Sequence, residues 1–332
     1  MIDKKDWPAL VAGLRETLIE HATAKSEDEK RDQPDVVQAR RNRLEAELHR
    51  MDNLRLNLTM DDEDFWPEIA IKPFYARRHA GQINKFKPHM LEHHIGEWEP
   101  LCNDDWDWEP GTGTNDKGKS AASCSLPGAK NGTSYDKFIG DDKCYRSHRK
   151  LQKAIVAARC IKERKEIYPH RRIIDNFTEF KKDFTQQVQL MLAYDLGQAY
   201  LKLGKVTTFH LMTDLGFQVV KPDSVLTRVA VNLGLIDGYN KKKGWEPIPP
   251  KISIKEALKL INDIDFCWAL QTRFQEIAEA TGTSIRSLDF ILVKFGQKLD
   301  DVSGIALTIC DENKPLCHLC GANSVCANAF PA

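Results

Sequence analysis

The chain has no net charge: 48 lysines and arginines stand against 48 aspartates and glutamates. That balance excludes a uniformly basic nucleic-acid coat, though not a local basic face. No run of 18 apolar residues occurs, so no membrane span is expected. The opening stretch, residues 1–14, has no apolar segment of signal-peptide length. Alternation of the strand type is nearly absent, which points to a mostly α fold. A paired-cysteine framework is also missing: there are nine cysteines, and four of them fall in the last 23 residues. Such crowding without a secretory context favours a metal site over disulfides and a cytoplasmic location over an exported one. The Asn-x-Thr triplets at Asn57, Asn131 and Asn176 are therefore read as chance rather than glycosylation.

The chain has 332 residues, a length that suits about two domains and needs no disulfide to hold a core. Residues 1–60 read as an N-terminal helical segment. Residues 6–24 space Trp7, Leu10, Val11, Leu14 and Leu18 helically, and residues 35–54 carry a thin apolar stripe. Both are expected to be surface helices. Residues 61–175 read as an irregular and helical region, in which Pro67, Pro73 and Pro88 are expected to break any long helix. Within it, a Gly-, Ser- and Asn-rich stretch at about 102–145 reads as a flexible insert, with Trp106 and Trp108 pinning it to a core. Residues 146–182 hold twelve basic and four acidic residues, a local balance of +8. A solvated helix face and a phosphate-binding face both fit that charge. Helices are predicted over 176–201, 206–215, 223–235, 254–264, 266–281 and 284–296, with Gly216, Gly234, Gly282 and Gly296 near their ends.

The sharpest motif is Cys310, Cys317, Cys320 and Cys326, spaced C-x6-C-x2-C-x5-C. Four thiolates within 17 residues close around one tetrahedral metal or one cubane cluster. Chemistry alone favours a structural Zn(Cys)4 site. The intervening Asp311, Glu312, Asn313 and Lys314 are too polar for a buried-thiol core. Cys102, Cys124, Cys144, Cys160 and Cys267 are scattered and read as ordinary thiols. Glu92, His93, His94 and Glu97 lack the spacing of a metal site, and His210 reads as a core or pocket-wall histidine.

This cysteine pattern resembles the C-terminal loop of the helix-hairpin-helix DNA glycosylases, the superfamily of endonuclease III and the 3-methyladenine glycosylases. Residues 203–236 and 288–297 are similar to the same family. The resemblance covers 200–236 and 284–328, about a quarter of the chain. It implies a helix-hairpin-helix core over 176–300 and an iron–sulfur loop over 301–332, where the four cysteines hold a structural 4Fe–4S cluster. The family's loop between the first two cysteines is usually basic, whereas here it holds Asp311, Glu312 and Lys314.

Asp223, after Pro222 and before an apolar run, is an N-cap by pattern. The resemblance makes it also the catalytic carboxylate. It assigns Lys202, Gly204 and Arg228 to DNA binding, with one glycine where the family hairpin usually has two. Lys205 lies 18 residues before Asp223, the place of the amine nucleophile in bifunctional members. A register shift of one would put Val206 there instead. The expected activity is removal of a damaged or modified base, with an alkylated base favoured by the Val-Lys-Pro-Asp segment. The partner is double-stranded DNA carrying that base, and the protein is expected to act as a monomer, associated with the nucleoid in a bacterium. Other readings are a glycosylase/lyase using Lys205, a non-catalytic DNA-binding protein on the same scaffold, and a helical zinc protein that binds a protein partner.

Overall fold

A computed structural model describes residues 2–22, 33–55, 57, 59–75, 97, 99–102, 108–109, 128–129, 148–175, 190–191, 193–195, 197–198, 203–297, 308–326 and 328. Its described residues are mostly helical. The chain divides into two compact units: Met1–Leu56 with Gly216–Ala332, and Asn57–Leu215. The units meet at residues 56/57 and 215/216.

Helix α1 (Trp7–Thr17) opens the first unit, with Pro8 in its first turn. A single π-helical turn, Leu18–Ala22, follows it. Helix α2 (Pro34–Asn53) begins on a proline, whose missing N–H costs nothing at that position. Neither is a mere surface helix. Trp7, Leu10, Leu14 and Thr17 of α1 are buried, as are Leu44, Leu48 and Met51 of α2.

The second unit starts with α3 (Asp62–Tyr75). This helix runs through Pro67 and Pro73, where breaks were expected. Burial of Phe65, Trp66, Ile69 and Ala70 on one face supplies packing that outweighs the lost backbone donors. Strands β1 (Trp108–Glu109) and β2 (Gly128–Ala129) pair antiparallel, two residues each. Helix α4 (His148–Ile167) carries much of the basic segment and packs against α3, with Leu151, Ala154, Ile155 and Ala158 buried. Asp62 at the start of α3 is paired with Lys165 and accepts from the Ile173 N–H at 2.6 Å. Helix α5 (Lys205–Asp214) closes the unit, and its Phe209 lies 4.7 Å from the Tyr194 ring. Most of 102–145 and of 176–201, including Trp106, lies outside the described residues.

The chain then returns to the first unit. Helix α6 (Ser224–Asn232) leads into a hairpin of β3 (Gly238–Lys241) and β4 (Gly244–Pro247). This hairpin departs from the helical reading. Its alternation spans only four residues a side, too short to register as a pattern. Helix α7 (Ile254–Leu260) is headed by a capping box between Ser253 and Glu256. Helix α8 (Ile264–Thr281) starts on Asp263 and ends on left-handed Gly282 (φ 67°). Helix α9 (Ile285–Gly296) starts on Ser284, which accepts from the Ser287 N–H. These spans follow the predicted helices to within a few residues. Helix α9 packs on α6, α1 and α2, with Phe266, Phe274 and Phe295 at the centre. Ser287 ties it to α2 by a 2.5 Å bond to Asp52.

Candidate functional site

Beyond α9 the chain folds into the cysteine loop. The Cys310 N–H donates to the Phe295 carbonyl at 2.8 Å, which anchors the loop to the end of α9. Cys317–Leu319 form one 3-10 turn. Asp311 turns its carboxylate back onto the N–H groups of Asn313 and Lys314, at 2.8 and 3.0 Å. Glu312 accepts from the Ile254 N–H at 3.1 Å, at the N-terminus of α7. The two acids that distinguish this loop from a basic one are therefore occupied in folding it.

Cys310, Cys317, Cys320 and Cys326 line one cavity of about 50 Å³, with Phe295, Ile309 and Pro315 supplying apolar wall. All four are free thiols. Among the described residues no three His, Cys, Asp or Glu side chains converge as the ligands of an ion. Burial pushes the Cys310 thiol up to about 11 against the opposing charge of Arg228, and pushes Cys320 to about 11. Burial likewise raises Cys326.

Arg228 is 1% exposed. Its Nη2 donates to the Cys310 carbonyl at 2.7 Å, while Nε and Nη1 are buried with no hydrogen-bond partner among the described residues. A desolvated guanidinium needs an anion. Four thiolates holding a metal or a cluster carry net negative charge, so the donor set and its buried cation fit such a group. The same burial corrects the expected role of Arg228: a guanidinium turned inward offers nothing to a phosphate at the surface.

The loop is also clamped from the N-terminal side. Thr17 Oγ1 accepts from the Gly321 N–H at 2.7 Å and donates to the Gly13 carbonyl at 2.6 Å. A Cβ on Gly13 would meet Gly321 backbone atoms at 2.6 Å, so only glycine allows α1 to lie this close to the loop. Sequence reasoning found no role for α1. Its signal was a glycine and a threonine four apart on an otherwise apolar helix face.

Asp223 caps α6. Its Oδ1 accepts from the Val225 and Leu226 N–H groups at 3.0 and 2.9 Å. Its Oδ2 lies 3.1 Å from Lys221 Nζ, and the two side chains are 24% and 28% exposed. Burial works against the Lys221 ammonium, but Asp223 and Asp289 outweigh it and hold its pKa above the ordinary value. The approach to Asp223 is held by three side chains. Gln271 accepts from the Val220 N–H and donates to the Val220 carbonyl, both at 2.8 Å. Asp289 accepts from the Lys221 N–H at 3.2 Å and from Arg286 at 2.6 Å. Burial raises the Asp289 pKa, opposed by Arg286 and Lys221. The sequence reading missed Lys221, Gln271, Arg286 and Asp289. Arg286 and Asp289, three apart on the apolar face of α9, were the available signal.

The remaining expected residues lie in the second unit. Gly204 is the N-cap of α5 with φ −73°, a value open to any residue. Gln198 donates to the Leu203 carbonyl at 2.6 Å and to Thr208 Oγ1 at 2.7 Å, bracing this turn. Lys205 is the exposed first residue of α5. Lys202, Glu92, His93 and His94 lie outside the described residues, as do Cys124 and Cys144. His210 is half-buried, 3.5 Å from Asp214. Cys102 and Cys160 are half-buried, and Cys267 is buried. Among the described residues no helix is long and apolar enough to cross a membrane. No family model, curated protein or solved structure matches the chain.

Proposed function

We propose that this protein is a DNA glycosylase of the helix-hairpin-helix type. One observation carries the reading: a single helix joins the candidate carboxylate to the four-cysteine cavity. Asp223 caps α6, Arg228 one turn on binds the Cys310 carbonyl, and Asn232 and Leu233 at its end line the cavity. Asn232 lies nine positions after Asp223, about 13.5 Å along the helix at 1.5 Å per residue. The two features that the family resemblance links are thus linked physically.

Breaking an N-glycosidic bond builds positive charge on the sugar. A carboxylate held by two backbone N–H groups and an ammonium is a fixed anion, suited to stabilise that charge without reorganising. The substrate is double-stranded DNA with a damaged or modified base, an alkylated base being favoured, and that base must leave the stack. Cys310, Cys317, Cys320 and Cys326 would hold a 4Fe–4S cluster, whose part is to tie the loop. The protein is read as a cytoplasmic or nucleoid-associated monomer.

The test is base release from alkylated and mismatched duplexes. Asp223→Asn should abolish release and leave DNA affinity intact. Wild-type protein that binds DNA but releases no base would instead be a non-catalytic binder. Iron, sulfide and zinc assays on anaerobically purified protein separate the cluster from the zinc alternative. Borohydride trapping, lost in Lys205→Gln, would identify a glycosylase/lyase.

A further inference from the structure

The β3–β4 hairpin has two unlike faces. On the inner face Tyr239 is buried, its hydroxyl donating to Asp263 at 2.9 Å and its ring meeting Phe266 edge-on at 5.5 Å. Lys241 turns the same way, 3.2 Å from Asp263 and 3.7 Å from Glu246. The inner face therefore anchors the hairpin to α8.

The outer face carries Trp245, paired in register with Asn240 and 56% exposed. Its indole lies against Gly238, where any Cβ would collide with the indole carbons Cζ2 and Cε2. A glycine backs one side of the ring, and the rest faces solvent. The turn beside it is Lys242-Lys243, both exposed. Neither makes a hydrogen bond or ion pair among the described residues. Gly244 then closes the turn with φ 118°.

A flat aromatic surface backed by a glycine, beside two ammonium groups with no ion pair among the described residues, has one best ligand chemistry: an unstacked nucleobase with its flanking phosphates. Bases of any identity stack on an indole, and lysines bind phosphates by displacing counterions. An anionic membrane also attracts lysine and tryptophan. Here, however, the outer face offers a single apolar side chain, Trp245 beside Asn240, too little to enter a bilayer. We propose that the tip Lys242–Trp245 is a nucleic-acid contact that stacks Trp245 on an exposed base in a single-stranded or locally opened polynucleotide.

The full-length chain would be titrated with a fluorescein-labelled 12-nucleotide single strand at several salt concentrations. Trp245→Ala should weaken binding about tenfold, within the range of one lost stacking contact, and Trp245→Phe should recover most of it. Lys242→Gln/Lys243→Gln should lower the slope of log affinity against log salt by about 1.4, or 0.7 per single-strand phosphate contact. Unchanged affinity and slope in these variants would overturn the proposal. So would equal losses in the Ala and Phe variants, or hairpin variants that lose binding to phosphatidylglycerol vesicles but not to the oligonucleotide. Circular dichroism of each variant checks that the fold persists. The outcome is separate from the glycosylase reading: base release without a hairpin effect sinks only the hairpin contact, and a hairpin effect without base release sinks only the enzyme.

Discussion

Arg228 of α6 donates to the carbonyl of Cys310, 82 residues further along the chain, at 2.7 Å. The bond spans the two parts of the site, because Asp223 heads the helix that carries Arg228. Replacing Arg228 by Gln should remove this donor and the buried cation next to the thiols. The expected result is a loss of about 1–3 kcal/mol in denaturant-derived stability, with less metal retained per chain. Full metal content in Arg228→Gln would show that the guanidinium does not serve the cysteine cavity.

Gly13→Ala tests the clamp between α1 and the loop. The new Cβ has to displace the backbone of Gly321, next to Cys320. Overpacking of this kind costs roughly 1–3 kcal/mol. Faster release of metal to a chelator should accompany it. A substitution elsewhere on α1 with the same loss of stability but unchanged release is the matched control.

Asp223 combines two roles that substitutions can separate. Asparagine is as good an N-cap as aspartate, while alanine is poorer by about 1 kcal/mol. Asp223→Asn should therefore keep the cap and lose only the pairing with Lys221, melting below the wild type but above Asp223→Ala in thermal unfolding. Both should lose base release. If activity tracks melting temperature instead of charge, the carboxylate only caps.

Asp263 gives a pH signature. Burial opposes its ionisation, but the hydrogen bonds from Tyr239 and Lys241 prevail, and its pKa lies below the ordinary value. The unfolded chain then binds the proton more readily than the folded one. The stabilisation is present above the unfolded pKa of about 3.9 and is lost as pH falls through the folded value. The stability gap between wild type and Asp263→Asn should be constant near neutrality and should shrink below about pH 4. A gap that does not change with pH would show that the pair contributes through packing alone.

The helices from α6 onward were legible because each carries its own local instructions. Asp223, Ser253, Asp263 and Ser284 each cap the run that follows, and Gly282 ends α8 in the left-handed region. The hairpin was not legible. Its strands are four residues long, and what holds Tyr239 is Asp263, 24 residues away. The prolines of α3 misled for the same reason: a local cost was visible, whereas the buried face that offsets it was not.

The sequence by itself determined the cysteine spacing and the placement of Asp223 at a helix start, since both are settled by neighbours along the chain. Tertiary structure decided what surrounds them. Asp289 on the Lys221 N–H, α1 against Gly321 and Arg228 turned inward toward Cys310 are contacts between distant segments. Charge and residue type announce that a buried cation needs a partner, but only packing selects which one, because desolvation makes the choice between a phosphate at the surface and a carbonyl in the core.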